Sequence, residues 1–379
     1  KDFFSLEGAG KFFIKENDKI KYKITKKGKS IDFSTVLEVS NNQLKLDILN
    51  FQKKDKTNLK INIIGKQDSN KDITFKEISL EENNNYIYIK KLLLKKFDKI
   101  QSVEKIDLDY IDKENLPNKI SISRKEKNYL LKGQVFNANK LIENLLKSKS
   151  KNRDLFTENF KIDIDIKKFN LDKNSIITDL NGFLILENNK ILKANLESTF
   201  LNQKKIKFTI RNNNGEKITT FFSGEAKPLI DRYKFIKGFE EGSLDFNSVS
   251  KNNISNSTLK IYDFKLKELP ALTKILTLAS LQGIADILSG EGIRFKEFEM
   301  NFSNKDQLMT IDEIYAIGPA LSILIDGYVE TDKLVSLRGT LIPATTLNKV
   351  IGSIPFLGDV LVGKKTGEGV FGVSCKIKG

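Results

Sequence analysis

The chain has 379 residues and a formal net charge of +15, with 64 Lys or Arg residues against 49 Asp or Glu residues. It contains no histidine and a single cysteine, Cys375. These absences exclude Ser-His catalytic triads, His-ligated metal centres and an internal disulfide framework. Hydrophobic residues make up 39% of the chain and include 26 phenylalanines, which indicates a folded protein rather than a disordered one.

The positive charge is confined to the first two thirds of the chain. Residues 268–379 carry a formal net charge of −2, so residues 1–267 carry +17. Such an excess is compatible with a solvated surface, an anionic membrane surface or nucleic acid. Lysine dominates over arginine, and the aromatic residues fall mostly on the apolar phase of predicted strands, unlike the usual pattern of nucleic-acid binding. We expect no nucleic-acid partner.

Apolar residues at every second position recur along the chain, which is typical of strands with one buried face. Leu44 to Ile48, Leu59 to Ile63 and Ile106 to Tyr110 are early examples. Turn sequences around Gly28 and Gly215 separate such stretches, and helical patterns between them are scarce. The pattern favours antiparallel meanders over βαβ units. It leaves a sandwich, a closed barrel and a long curled sheet open as architectures.

Three stretches in the middle of the chain are candidates to line an apolar groove. Two of them alternate Ile or Phe with Lys, Asp or Thr. Asp163 and Asp165 share the opposite, solvated phase, so we assign them no catalytic role. We expect no catalytic residue, no cofactor and no bound metal anywhere in the chain. The groove-lining candidates are Ile162, Ile164, Ile166, Phe183, Ile185, Ile206, Phe208 and Ile210.

Helical periodicity is confined to a few segments. A short helix is predicted at Asn139 to Lys147, with a weaker candidate around Pro228 to Phe235. Two apolar helical stretches follow, Ala271 to Ser289 and Thr346 to Val362, with four predicted strands between Phe295 and Leu341. The apolar stretches are candidates for a groove plug or a membrane contact, with packing under the sheet as the alternative. The candidate residues are Leu272, Ile275, Leu276, Ala279, Ile284, Ile287, Leu288, Ile354, Phe356 and Leu357.

Three motifs in the C-terminal third carry a family resemblance. Gly318-Pro319-Ala320 follows a predicted strand, Gly339 to Pro343 precedes the second apolar helical stretch, and Gly367 to Gly372 opens the last strand. In their order and spacing, residues 268–379 resemble the C-terminal region of AsmA-like proteins of the YhdP and TamB type. Residues 133–146 and 235–248 are similar, more loosely, to the preceding repeats of that family.

The resemblance implies a mainly β protein. Its long twisted antiparallel sheet is expected to curl into an apolar groove, with a few helices near the C-terminal end. The resemblance also implies two parts, namely a repetitive β-groove segment at residues 1–267 and an AsmA-like C-terminal region at residues 268–379. The groove-lining and plug candidates named above take their roles from this expected architecture.

The function implied by the resemblance is that of a non-enzymatic periplasmic lipid conduit. It would carry phospholipid acyl chains between the inner and outer membranes of a Gram-negative bacterium. A membrane surface or a membrane-protein partner is expected at the C-terminal end. Because the sequence starts at Lys1, we expect an inner-membrane anchor in the full-length protein that this chain lacks. The alternative is a structural or assembly factor for outer-membrane biogenesis, with sheet faces filled by its own side chains.

Overall fold

The computed structural model describes residues 3–13, 16–96, 98–147, 155–233, 238–267, 292–319, 321–331, 333–343 and 373–378. The chain divides into two compact units, Lys1–Asn202 and Gln203–Gly379, called unit 1 and unit 2 below. Each unit is built on a mainly β framework. Two short helices occur among the described residues, one in each unit.

Unit 1 consists largely of strands of 9 to 13 residues joined by short turns. Its elements are β1 (Phe3–Phe13), β2 (Asn17–Lys27), β3 (Ser30–Val39), β4 (Lys45–Leu46), β5 (Phe51–Gln52), β6 (Leu59–Gln67), β7 (Ile73–Glu82), β8 (Asn85–Lys95), β9 (Lys99–Ile111), β10 (Pro117–Lys125), β11 (Asn128–Asn137), α1 (Asn139–Lys147), β12 (Phe160–Asn170), β13 (Ile176–Glu187) and β14 (Lys190–Phe200). Strands β4 and β5 pair only with each other among the described residues.

The other strands of unit 1 form one open sheet in which each strand pairs with the next along the chain. The spatial order is β1-β2-β3-β6-β7-β8-β9-β10-β11-β12-β13-β14. Every described join is antiparallel except that between β11 and β12, which is parallel. A parallel neighbour needs a crossover connection, and α1 lies in that connection. The expectation that βαβ units are absent is therefore wrong at this one join.

One face of the unit 1 sheet, called the apolar face, carries the buried hydrophobic side chains. They belong to one cluster that runs across β3 and β6–β10. The segment 44–53, called the cap, contains β4, a 3-10 turn at Asp47–Leu49 and β5, and it covers one end of this face. The Phe51 ring, 2% exposed, meets the Tyr110 ring edge-on at 5.9 Å between centroids. The Tyr110 hydroxyl donates a hydrogen bond to the Leu49 carbonyl at 2.8 Å, and burial raises its pKa.

A buried carboxylate fixes the connection that leads into the cap. Asp18, at the start of β2, is 2% exposed. Its carboxylate accepts backbone N–H bonds from Ser40 and Asn41, both at 2.8 Å, and from Asn42 at 3.0 Å. Burial acts to raise the pKa of Asp18, but the hydrogen bonds from Asn41, Asn42 and Ser40 outweigh it and hold the pKa below its usual value. The ionised form of Asp18 is therefore the form that stabilises the fold.

The strands of unit 2 pair in a second continuous series, and every described join among them is antiparallel. The spatial order follows the chain order from the first strand to the last. Its elements are β15 (Lys205–Asn213), β16 (Glu216–Ser223), α2 (Lys227–Tyr233), β17 (Phe239–Lys251), β18 (Ile254–Leu266), β19 (Ile293–Lys305), β20 (Leu308–Ile317), β21 (Leu321–Glu330), β22 (Leu334–Pro343) and β23 (Val373–Lys378).

The buried core of unit 2 is an aromatic stack under α2. Phe239, Phe264 and Phe295 come from three neighbouring strands, with ring centroids 5.3 and 5.2 Å apart and rings nearly parallel. Ile230 of α2 and the preceding Ala226 belong to the same buried cluster. Helix α2 therefore covers one end of an apolar face in unit 2, as the cap does in unit 1.

The structure agrees with most of the predicted elements. Helix α1 has the predicted bounds, α2 overlaps the weaker candidate, and β19–β22 correspond to the four strands predicted between Phe295 and Leu341. The alternation at Leu44 to Ile48 does not form one strand, because the chain turns there into the cap. The predicted boundary at residue 268 falls inside unit 2, where β18 and β19 pair over their whole length.

Replacing Phe51 with Ala is expected to lower the free energy of unfolding by about 3–5 kcal/mol, because it leaves a cavity between the cap and the sheet. Ile48 lies in the same segment but is 72% exposed, so Ile48→Ala is expected to change stability by less than about 0.5 kcal/mol. Urea denaturation followed by circular dichroism measures both. Equal effects of the two variants would contradict the role given to the cap.

The lowered pKa of Asp18 predicts a loss of stability in acid. Its stabilisation is complete above the carboxyl group's unfolded pKa, about 3.9, and disappears as the pH falls through the lower folded pKa. Asp18→Asn should cost about 1–3 kcal/mol at pH 7, because it weakens hydrogen bonds to a charged acceptor. Below pH 4 the difference from the unmodified protein should shrink. Denaturation midpoints across the pH range check this, and a constant difference would contradict it.

Candidate functional site

The apolar face of unit 1 contains a continuous row of aliphatic side chains that no described element covers fully. Each member is the direct cross-strand partner of the next, from β6 to β12. We call it the first row, and it consists of Ile63, Ile78, Ile89, Ile106, Ile122, Leu131 and Ile164. Six strand spacings of about 4.8 Å make the row about 29 Å long. All seven side chains are half-buried.

Burial on this face is graded from the cap outward. The row next to the cap includes Leu80, Ile87 and Leu108, which are 5 to 6% exposed. The first row lies one step further along the same strands, and its side chains keep part of their surface open. An ordinary sheet covered by a second layer would bury both rows alike. The described part of unit 1 therefore presents an apolar strip that is closed at the cap and accessible beyond it.

Strand β12 shows how the sequence produces this grading. Ile162, Ile164 and Ile166 lie on the apolar face, since Ile164 pairs with Leu131 of β11 and with Gly182 of β13. Ile166 is 2% exposed, whereas Ile162 and Ile164 are half-buried. Asp163 and Asp165 lie on the opposite face, as predicted.

A glycine ends the first row beyond β12. Gly182 has a φ of +134°, and a Cβ atom there would lie 1.9 Å from the Asn195 carbonyl oxygen of β14. Only glycine accepts this close approach of two backbones. Its missing side chain also leaves space beside Ile164, with which it pairs. Gly327 of unit 2 has the same geometry, with a φ of +143° and a Cβ position 2.2 Å from the Ser336 carbonyl oxygen.

Two of the predicted groove-lining residues lie elsewhere. Phe183 pairs with Asp163 and Ile185 pairs with Lys161, so both lie on the face opposite the first row. The Lys161 ammonium sits 5.1 Å from the centre of the Phe183 ring. The apolar run at residues 183–186 does not reveal which alternate residues share a face with Ile164, because adjacent positions are all hydrophobic.

Unit 2 contains a comparable row, called the second row. Its members are again direct cross-strand partners, from β15 to β21, and all are half-buried. They are Phe208, Phe221, Phe246, Leu259, Met300, Ile314 and Ile325. The flanking candidates Ile206 and Ile210 lie on the same face as Phe208 but are 9% and 5% exposed. Phe208 is therefore the predicted residue of unit 2 that belongs to the second row.

Most members of both rows were not among the residues predicted from the sequence. Met300 and Phe246, for example, lie in alternating stretches of sequence, but their place in the row depends on the pairing register. Sequence alternation indicates the phase within a strand but not which residue lies opposite in the next. Only the pairing of neighbouring strands places these residues in the row.

The face opposite each row is polar and ion-paired. In unit 1, the Lys105 ammonium contacts the Asp107 carboxylate and the Lys119 ammonium contacts the Asp109 carboxylate, each at 2.7 Å. In unit 2, Glu299 contacts Lys260 at 2.6 Å and accepts a hydrogen bond from the Tyr315 hydroxyl at 2.6 Å. Such pairs keep this face hydrated, so the two faces of each sheet differ in chemistry.

The predicted plug and membrane-contact residues lie outside the described residues. Leu272 to Leu288 and Ile354 to Leu357 fall in residues 268–291 and 344–372. The described strands that flank these gaps meet them at one end of the unit 2 strands, not at an edge strand. Leu266 pairs with Ile293, and Leu341 pairs with Val373. Phe239, which follows α2, pairs with Leu266 at this same end.

Within the described ranges, no helix is long and apolar enough to cross a membrane. The same ranges contain no group of three or more Cys, Asp or Glu side chains placed to hold a metal ion. The chain matches no protein-family model, no curated protein and no solved structure.

The grading of burial predicts a difference in chemical accessibility on β12. In a Cys375→Ser background, a cysteine at position 164 should react with a small maleimide in the folded protein. A cysteine at position 166 should react at least about tenfold more slowly, because it is exposed only by local opening. Thiol labelling followed by mass spectrometry measures both rates. Equal protection at the two positions would mean that the first row is covered.

Proposed function

We propose that this protein is a non-enzymatic lipid conduit that holds phospholipid acyl chains against its apolar sheet faces. The first row carries the proposal. It is a strip of seven aliphatic side chains, half-buried and interrupted by no polar side chain, beside a buried strip closed by the cap. The second row, with three phenylalanines and a methionine, offers a similar surface in unit 2.

The chemistry of the rows fits acyl chains better than ligands with fixed polar groups. Removing each CH₂ group from water contributes about 0.8 kcal/mol, so a chain laid along a strip about 29 Å long gains affinity without directional contacts. Aliphatic and thioether side chains adapt to ligands of varying shape. A surface of this kind also permits movement along it, since no single position binds more strongly than its neighbours.

The membrane setting is part of the same proposal and is supported by the sequence. The resemblance of residues 268–379 to AsmA-like proteins supports transport between inner and outer membranes through the periplasm, with an inner-membrane anchor in the full-length protein. In the sequence, the apolar stretches 271–289 and 346–362 lie between described strands whose flanking residues pair at one end of unit 2, Leu266 with Ile293 and Leu341 with Val373. We place the contact with a membrane surface or a membrane-protein partner at this end.

One observation favours the alternative of a structural or assembly factor. The end of the unit 1 face under the cap is filled by the chain's own side chains, with Phe51 and Leu59 at 2% and 0% exposure. A sheet filled in this way along its whole length would hold no lipid. The two candidates therefore differ in whether the first row is occupied by ligand when the protein is isolated from cells.

Ile164→Asp is expected to remove most of the phospholipid that co-purifies with the protein, because it places a charge on the first row, at its β12 end. The fold should tolerate it, with a loss of less than about 2 kcal/mol, since the half-buried carboxylate can reach water. Lipid extraction with mass spectrometry measures the first effect, and thermal unfolding measures the second.

Phe183→Asp is the matched control, because Phe183 is also half-buried, lies one strand away and faces the opposite side. It should retain lipid, and its carboxylate would lie near the Lys161 ammonium. If Ile164→Asp unfolds the protein while no phospholipid co-purifies with the unmodified chain, the first row is a packed core and the assembly-factor alternative holds.

A further inference from the structure

Residues of β20, β21 and β22 line a cavity in unit 2. Its volume is about 550 Å³, which lies within the range of small-molecule sites. Ile325 of β21 belongs to the second row, and the next residue, Asp326, pairs with Arg338 of β22. Successive side chains of a strand point to opposite faces, so this charged pair lies on the face opposite the second row. The charged wall of the cavity is therefore separate from the surface proposed for acyl chains.

An irregularity in the strand pairing coincides with the cavity. Two residues of β20, Asp312 and Glu313, lie opposite the single residue Asp326 of β21. A bulge of this kind bends the strand and redirects a side chain, and Asp312 is one of the residues that line the cavity. Gly327, with a φ of +143°, leaves the wall without a side chain at the next position of β21. The local backbone thus makes space beside the Asp326–Arg338 pair.

Arg338 is held in a way that leaves part of its guanidinium group available. Its Nε atom donates a hydrogen bond to the Asp326 carboxylate at 2.6 Å. Within the described ranges, the two terminal nitrogen atoms of the guanidinium have no hydrogen-bond partner. An arginine anchored through Nε presents these two N–H groups as a fork that suits phosphate or carboxylate oxygens.

Asp312 supplies a group of the opposite charge. Its side chain is exposed, and it forms no hydrogen bond or ion pair with any residue that the structure describes. The ring of Tyr328, which is 41% exposed, lines the same cavity. The face of an aromatic ring attracts an ammonium group. Asp312 and Tyr328 together therefore suit a cationic group.

The cavity brings together two groups of opposite charge that do not pair with each other. We propose that it binds a small zwitterion, with a phosphate group on Arg338 and an ammonium group on Asp312. Strands β20 and β22 lie two strand spacings apart, about 9.6 Å, and the long arginine side chain shortens this gap to the span of such a ligand. Binding at this site is independent of lipid on either row.

Ligand-observed NMR titration of the 379-residue chain with O-phosphoethanolamine tests the proposal. Inorganic phosphate and ethanolamine each carry one of its two charged groups and serve as the comparison probes. O-phosphoethanolamine should bind at least about threefold more tightly than either, because it engages both Arg338 and Asp312. An affinity no higher than that of phosphate or of ethanolamine would overturn the proposal.

Substitutions separate the two halves of the site. Asp312→Asn should weaken the binding of O-phosphoethanolamine by about threefold and leave that of inorganic phosphate unchanged, whereas Arg338→Gln should weaken both. Asp306→Asn, at an exposed turn, and Arg294→Gln, which removes another exposed and ion-paired arginine, are the matched controls and should change neither affinity. Thermal unfolding checks that all four variants are folded. Equal losses in the variants and their controls would contradict a site at this cavity.

The same two groups occur in a free compound and in the headgroup of a phospholipid. Dihexanoyl phosphatidylethanolamine, kept below its critical micelle concentration, distinguishes these sources. Binding that is as tight as that of O-phosphoethanolamine and is weakened by Asp312→Asn would assign the site to the headgroup. Binding of O-phosphoethanolamine alone would assign it to the free compound.

Discussion

The two-residue period of the β-strand is the constraint on which the paired strands of both units depend. Each strand presents one apolar and one polar phase, and a shift of one residue would move every hydrophobic side chain to the hydrated face. Hydrogen-bonded pairing aligns the apolar phase of each strand with that of its neighbour. Ile63 on β6 and Ile164 on β12 therefore lie on the same face although 100 residues separate them. The first and second rows exist because every strand that they cross keeps its phase.

Irregularities in the ladder occur beside the rows and not within them. In unit 1 the pairing of β6 with β7 shifts between Ile64 and Gly65, one pair beyond the Ile63–Ile78 pair. In unit 2 the pairing of β20 with β21 shifts between Ile311 and Ile314, immediately before the Ile314–Ile325 pair. Bulges of this kind bend and twist a sheet locally. The rows are thus regular strips between places where the sheet is deformed.

In each unit a short inserted segment covers one end of the apolar face. The cap of unit 1 is inserted between β3 and β6, and α2 of unit 2 is inserted between β16 and β17. Both bury aromatic side chains at one end of the sheet, Phe51 against Tyr110 and Phe239 against Phe264. Neither is long enough to cover the face, which leaves side chains such as Ile106 and Phe246 half-buried. In each unit the covered end of the apolar face therefore stabilises the fold, and the rest of the face stays accessible.

The sequence predicted the class of fold and the phase of most strands but not the pairing. Ile164 and Phe208 could be placed on an apolar phase because polar residues flank them on both sides. Phe183 could not, since it opens a run of hydrophobic residues that extends to Leu186 and its phase is set by the pairing with Asp163. The cap was missed because the alternation at Leu44 to Ile48 resembles a strand, whereas contacts with distant residues such as Tyr110 determine its path. Nonlocal contacts override local patterns at such sites.

The parallel join between β11 and β12 connects two stretches of unit 1 whose other strands pair locally. Strands β12 to β14 form a meander of their own, and so do β6 to β11, each closed by short turns. Joining the two requires closure of a loop of 22 residues, 138–159, against its chain entropy. Nonlocal parallel pairing of this kind is slow, and until it forms, both β11 and β12 expose free edges. We therefore expect newly synthesised chains to be most prone to pair wrongly at this join.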